Sequence, residues 1–173
     1  GRRGASGTRG RGCPAACGVI GEQGGLDLFT SRLGGRASQL RLGDGLNEQN
    51  DVGPVINETQ RRRIHSYTEI GKDEGASLLL GGEIASDGDL AGGWFYRPTV
   101  FGDVKTTMRI AQEEIFGPTT VIIPVGAVED AITAANSTQS GVSRGGYSNE
   151  LRRACTGATT RQTRATDTTA PPR

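Results

Sequence analysis

Cysteine thiols are the side chains of this sequence that could do nucleophilic chemistry, and two of the three, Cys13 and Cys17, lie close together. A thiol attacks a carbonyl carbon as its thiolate, and a nearby cation favours that form by lowering the pKa of the thiol. Arg9 and Arg11 precede Cys13 and are candidate cations. The alternative is that Cys13 is a free thiol in an Arg/Gly-rich segment and has no catalytic role.

The same thiols, with Cys155 as the third, argue against two other kinds of site. An odd and sparse set of cysteines does not form a disulfide framework, so reduced thiols and a cytoplasmic location are expected. A zinc site is not expected either, because the chain has a single histidine, His65, and no CxxC pair. His65 follows three consecutive arginines, and we predict a surface position for it and no role as a base.

Composition limits the partners of the chain. Its 173 residues fit one domain or a large piece of one, and the formal net charge of +1 favours neither nucleic acid nor a membrane surface as a partner. Neither a transmembrane run nor a signal peptide is recognisable. An RNA-contacting arm at residues 1–12 is a further alternative, but that segment lacks the aromatic residues that stack on bases. With 28 glycines and 34% hydrophobic residues, a thin core is expected.

Apolar spacing predicts the helices that would position these groups. Apolar residues recur at intervals of three and four, as on one face of a helix, at Leu26, Phe29, Leu33, Ala37 and Leu40. Gly34-Gly35 would interrupt this helix. Asn57 could cap a second helix that buries Ile64, Tyr67 and Ile70. A third helix is predicted from Val128, with Glu129 and Asp130 in its first turn.

Short apolar runs predict strands between these helices, at Ser77–Leu80, residues 99–101, Thr119–Val125 and residues 145–148. Helices that alternate with such strands indicate an α/β fold with a mainly parallel sheet and flanking helices. We predict three regions. They are a disordered Gly/Arg-rich segment at 1–12, an organised domain at 13–155 and an irregular tail at 156–173.

Three stretches of the organised region resemble the aldehyde dehydrogenase superfamily, and their order and spacing fit it without large gaps. They are LGDGLNEQNDVGPVIN at residues 42–57, FYRPTVFGDVKTTMRIAQEEIFGP at 95–118 and SGVSRGGYSNEL at 140–151. The EEIFGP block preceded by RIAQ is the most specific of these motifs. The resemblance covers roughly residues 13–155 and implies part of the catalytic domain, from the nucleophilic cysteine onward.

The resemblance implies a role for three residues. Counting back from Gly43 places Cys13, and not Cys17, at the position of the nucleophile, which would form a thioester during NAD(P)-dependent oxidation of a small aldehyde to a carboxylic acid. The second glutamate of EEIFGP, Glu114, would accept hydrogen bonds from the nicotinamide ribose, and Phe116 would pack beside that cofactor, NAD or NADP. The alternative is that Glu113 and Glu114 form a solvated pair and Phe116 belongs to the core.

Some parts of the family's machinery have no counterpart in this sequence. The glutamate that serves as general base, the asparagine of the oxyanion hole and the Rossmann-like half lie upstream of the cysteine in the family. We therefore expect no dehydrogenase activity from this chain by itself. Either it acts as part of a longer enzyme, whose full-length relatives are homo-oligomers, or it is a non-catalytic remnant that acts at most as a binding or interaction protein.

Overall fold

The computed structural model describes residues 18–137 with their side chains, and residues 143–147 and 165–169 as backbone. Cys13, Cys17 and Cys155 lie outside these ranges. In chain order the elements are β1 (Gly18–Glu22), α1 (Gln23–Ala37), α2 (Glu58–Asp73), β2 (Ser77–Leu80), β3 (Ile84–Ala85), a 3-10 helix (Gly88–Gly92), β4 (Phe95–Tyr96), β5 (Thr99–Gly102), α3 (Arg109–Gln112), β6 (Thr119–Val125), α4 (Val128–Asn136), β7 (Ser143–Tyr147) and β8 (Ala165–Thr169).

A four-stranded sheet with the order β1-β6-β5-β2 forms the centre of the fold. Strand β6 pairs in parallel with both β1 and β5, and β2 adds to β5 in the antiparallel direction. Strands β3 and β4 form a small antiparallel pair, and β7 and β8 a parallel one. The predicted α/β class with a mainly parallel sheet is confirmed, whereas β8 lies in the tail predicted to be irregular.

Strand β6 is buried on both faces, as its β-branched sequence predicts. Val121 and Ile123 point into the larger core cluster, which α2 covers with Ile64 and Tyr67. Ile122 points to the opposite face, because successive side chains of a strand alternate. The sheet therefore lies between two helices, with α2 on one face and α1 on the other.

Helix α1 covers its face of the sheet with a narrower stripe than the sequence predicted. Leu26, Leu33 and Ala37 pack against the sheet, but Phe29 is 42% exposed. Phe29 is displaced by roughly 60° around the helix axis from Leu26, which puts it on the flank of the stripe. An interruption was predicted at Gly34-Gly35, but the helix continues through both residues. Leu33 and Ala37 on either side pack against the sheet and hold this part of the helix in place.

Candidate functional site

Helix α2 is the element that organises the candidate site. It begins at Asn57, whose side-chain oxygen accepts a hydrogen bond of 2.8 Å from the backbone N–H of Gln60, as the predicted N-cap requires. One face of the helix carries four residues at the i, i+3, i+4, i+7 spacing of a single stripe, and they are Gln60, Arg63, Ile64 and Tyr67. Each of them contacts residues 113–118, which we call the EEIFGP loop.

The first residue of the EEIFGP loop is held by two side chains. The hydroxyl of Tyr67 donates a hydrogen bond of 2.6 Å to a carboxylate oxygen of Glu113. The guanidinium of Arg109 donates to both oxygens of the same carboxylate, at 2.7 and 3.1 Å. These bonds from Arg109 and Tyr67 stabilise the charged carboxylate and lower the pKa of Glu113 to about 2. Arg109 and Tyr67 thus hold the charged Glu113 carboxylate, whose side chain is 41% exposed.

The next three residues are held through their backbone carbonyls. The guanidinium of Arg63 donates a hydrogen bond of 2.8 Å to the carbonyl oxygen of Glu114. The side-chain amide of Gln60 donates to the carbonyl oxygens of Ile115 and Phe116, both at 3.0 Å. The loop backbone is thus fixed on both sides of Glu114 by donors from α2.

Packing holds the rest of the loop. Ile115 is buried in the larger core cluster, and Gly117 lies directly against Ile64. The carbonyl oxygen of Pro118 accepts a hydrogen bond of 2.8 Å from the backbone N–H of Thr99, which ties the end of the loop to β5. Phe116 adopts a left-handed backbone with φ of 60°, an unfavourable region for a bulky residue. Such backbone strain persists only where the surroundings impose it, and it is common at functional sites.

The carboxylate of Glu114 differs from that of Glu113 in its surroundings. Glu114 is exposed, and among the residues that the structure describes its carboxylate has no hydrogen-bond or ion-pair partner. A carboxylate of this kind can accept hydrogen bonds from two adjacent hydroxyl groups of a ligand. Phe116 is half-buried.

His65 occupies a different position from the surface site that the sequence predicted. Its ring is half-buried, and Nδ1 lies 3.2 Å from the hydroxyl of Tyr96. That hydroxyl lies 2.8 Å from the hydroxyl of Thr68, which also donates to the Ile64 carbonyl. Burial of the phenol raises the pKa of Tyr96 to about 12. This partner could not be recognised from the sequence, because Tyr96 follows His65 by 31 positions.

Among the predicted site residues, the structure places Glu114 and Phe116 on one anchored loop, and Cys13 lies outside the described residues together with Arg9 and Arg11. Sequence reasoning missed Gln60 and Arg63. The only signal was their spacing from the predicted core residue Ile64, which puts them on the same helix face.

Neither a metal site nor a membrane-spanning segment is found in the described part of the chain. No cluster of three or more histidine, cysteine, aspartate or glutamate residues there could hold a metal ion. No helix there is long and apolar enough to cross a membrane.

Comparison with known sequences relates the chain to one family. The sequence model of the aldehyde dehydrogenase family matches residues 2–165. Aldehyde dehydrogenase citD from Monascus ruber is 39% identical over 147 residues, which are 85% of this chain and 29% of that protein. Alpha-ketoglutaric semialdehyde dehydrogenase from Bacillus subtilis is 37% identical over 150 residues, or 87% of this chain and 31% of that protein. The chain thus spans about a third of the length of these relatives.

Solved structures give the same relationship. Betaine aldehyde dehydrogenase from Staphylococcus aureus, in complex with NAD+, superposes with a TM-score of 0.90 at 30% identity. The match covers 96% of this chain and 33% of that one. HpcC from Thermus thermophilus superposes with a TM-score of 0.89 at 35% identity, over 95% of this chain and 33% of its own.

Proposed function

Because the chain belongs to the aldehyde dehydrogenase family, we propose that it contributes to an NAD(P)-dependent aldehyde dehydrogenase as part of a longer enzyme. In this proposal it supplies the nucleophile and the cofactor contacts on the nicotinamide side. The observation that supports the proposal most directly is the EEIFGP loop, in which neighbouring groups are anchored and the Glu114 carboxylate has no partner among the described residues.

The proposed reaction uses Cys13 as its nucleophile. The Cys13 thiolate adds to the carbonyl carbon of a small aldehyde, and departure of hydride from the adduct leaves a thioester on the sulfur. Water then hydrolyses the thioester and releases a carboxylic acid together with the free thiol. When bound, NAD+ or NADP+ supplies the hydride acceptor that this oxidation requires.

The residues of the EEIFGP loop fit a nicotinamide ribose. Glu114 would accept hydrogen bonds from the two ribose hydroxyls, since its carboxylate is exposed and has no partner among the described residues. Phe116, which is half-buried, would pack beside the cofactor. The backbone bonds from Gln60 and Arg63 hold both residues in place before the cofactor arrives, which reduces the entropy lost on binding.

A non-catalytic remnant is the second candidate, and Pro14 favours it. Proline has no backbone N–H, and this one directly follows the proposed nucleophile, close to where an oxyanion would need a donor. In that case the loop would keep its fold without turnover, and the chain would act at most as a binding or interaction protein.

A chimeric enzyme tests the proposal. The chain replaces the matching third of betaine aldehyde dehydrogenase from Staphylococcus aureus, and NADH formation from betaine aldehyde is followed by absorbance. We expect the chimera to form NADH and the isolated chain to form none. A folded chimera that binds NAD+ without forming NADH would support the remnant instead.

Cysteine variants of the chimera provide the matched controls. Cys13→Ser should abolish NADH formation, because a hydroxyl is a far weaker nucleophile than a thiolate. Cys17→Ser and Cys155→Ser should leave the rate within about twofold of the parent, since neither thiol has a proposed role. Loss of activity in Cys17→Ser with full activity in Cys13→Ser would show that the nucleophile was assigned to the wrong residue.

A further inference from the structure

We propose that Tyr67 is a positioning residue for cofactor binding, and that it acts on Glu114 through the carboxylate of Glu113. The inference rests on the proposed function, since it assigns to Tyr67 the task of aiming the side chain that would bind the nicotinamide ribose. Nothing in the sequence singled out Tyr67 beyond a place in the core.

The contact that carries the inference joins two distant parts of the chain. The Tyr67 hydroxyl donates to Glu113 across 46 positions of sequence at 2.6 Å, and the tyrosine is only 7% exposed. Arg109 binds the same carboxylate from four residues away, so its bonds connect Glu113 to α3 and not to α2. Among the described residues, Tyr67 therefore makes the only side-chain hydrogen bond that fixes the Glu113 carboxylate to α2.

The backbone conformation at Glu113 relates the direction of the Glu114 side chain to that of the Glu113 side chain. Glu113 has φ of −104° and ψ of 148°, which is extended backbone. Successive side chains of extended backbone point to opposite sides of the chain. Because the Glu113 side chain is held toward α2, we infer that the exposed Glu114 side chain points away from α2.

The hydroxyl of Tyr67 can be removed without loss of the ring. The ring has the guanidinium of Arg63 at 5.6 Å and that of Arg109 at 5.8 Å from its centroid, and it packs in the larger core cluster. Tyr67→Phe preserves the ring and its packing and deletes only the bond to Glu113. The variant thus separates positioning of the loop from packing of the core.

β-Nicotinamide mononucleotide is a suitable probe, because it contains the nicotinamide ribose and needs none of the adenosine contacts. The full chain is titrated with it, and the dissociation constant is taken from backbone amide NMR shifts of residues 113–117. We expect Tyr67→Phe to weaken binding about fivefold, the typical effect of one lost hydrogen bond. Ser66→Ala, next to it on α2, removes a hydroxyl whose hydrogen bond among the described residues stays within the helix, and this variant should bind as the parent does.

Glu113→Ala shows whether the effect passes through the carboxylate. If it does, Tyr67→Phe adds nothing to the loss already caused by Glu113→Ala, and the two effects are not additive. A role of Tyr67 in general stability predicts additive losses instead, and additive losses would overturn the proposed route. Thermal melts of each variant confirm that the comparison is made between folded chains.

Glu114→Gln separates failure of the inference from failure of the proposed function. Weaker binding in Glu114→Gln with unchanged binding in Tyr67→Phe would overturn the positioning role alone. If the parent does not bind the mononucleotide, or if Glu114→Gln binds it equally well, the cofactor role of Glu114 is wrong and the inference is rejected with it.

Discussion

Gly117 lies so close to Ile64 that a Cβ atom on Gly117 would stand 2.7 Å from both Cγ1 and Cδ1 of Ile64. Ile64 has no exposed surface and belongs to the larger core cluster, so it cannot move aside. Glycine is the residue that allows this approach because it has no side chain. The contact lets the EEIFGP loop come close enough to α2 for Gln60 to reach the carbonyl oxygens of Ile115 and Phe116.

Replacement of Gly117 by alanine should therefore destabilise the fold. Overpacking of a filled core typically costs about 1–3 kcal/mol, and we expect the free energy of unfolding to fall by that amount. Urea denaturation followed by circular dichroism measures it. The variant should also weaken binding of nicotinamide mononucleotide, because the loop moves away from Gln60.

Gly34→Ala is the matched control and should have the opposite sign. A Cβ atom at Gly34 meets nothing within 4 Å, and the residue lies inside α1. Alanine is favoured over glycine in a helix interior by about 1 kcal/mol, so the free energy of unfolding should rise. A stabilised Gly117→Ala, or a destabilised Gly34→Ala, would contradict the packing that the structure shows at these positions.

Acid should weaken the contribution of Glu113 to stability. Hydrogen bonds from Arg109 and Tyr67 lower its pKa from 4.5 to about 2, so the folded chain binds the proton less tightly than the unfolded chain. The stabilisation is complete at pH values above the pKa of Glu113 in the unfolded chain, and it is lost as the pH falls from about 4.5 to about 2. Urea denaturation of the parent and Glu113→Gln across this range measures the difference.

The expected result is a stability gap between the parent and Glu113→Gln that closes as the pH falls. Glu114→Gln is the neighbouring control, since it removes a carboxylate and leaves the bonds of Tyr67 and Arg109 to Glu113 intact. A gap of constant size from neutral pH down to about 2 would show that the carboxylate of Glu113 does not gain its stability from these partners.

Local patterns were sufficient to predict most elements of the fold. The cap at Asn57, the β-branched run of Thr119–Val125 and the stripe that starts at Val128 each lie within one segment, and each gave the element found there. Strand β8 was missed because its sequence, ATDTT, contains no apolar residue except Ala165, and the alternation that marks a half-buried strand is lacking.

The site was less predictable because its contacts join distant segments. A family motif identified Glu114 and Phe116, but no local pattern shows that Gln60, Arg63 and Tyr67 hold the same loop from 46 to 56 positions away. The wrong prediction for His65 has the same origin. Three nearby arginines indicated a solvent-exposed position, and its partner Tyr96 is distant in sequence.

Alkaline pH should destabilise the fold through Tyr96. Burial raises its pKa from 10.0 to about 12, so the folded chain holds the phenol proton more tightly than the unfolded chain does. The stabilisation is present below pH 10 and is lost as the pH rises from about 10 to about 12. Ultraviolet titration should show late ionisation that is lost in Tyr96→Phe. Late ionisation that persists in this variant would assign it to another tyrosine.

The cap of α2 links stability to the site, because Asn57 binds the backbone N–H of Gln60 and Gln60 binds the EEIFGP loop. Asn57→Ala removes the cap and should lower the free energy of unfolding by about 1 kcal/mol. Asn57→Asp keeps an acceptor and adds a favourable charge at the helix N-terminus, so it should be at least as stable as the parent. Denaturation in urea compares the three chains.

Hydrogen exchange extends this comparison to the loop. A frayed first turn of α2 would release the Gln60 side chain, and backbone amides of residues 114–117 should then exchange faster in Asn57→Ala than in Asn57→Asp. The loop keeps its bonds to Tyr67 and Arg63, which lie further along the helix, so the acceleration should be greatest at Phe116 and Gly117. Equal exchange in both variants would mean that the hydrogen bonds from Gln60 to the loop do not depend on the helix cap.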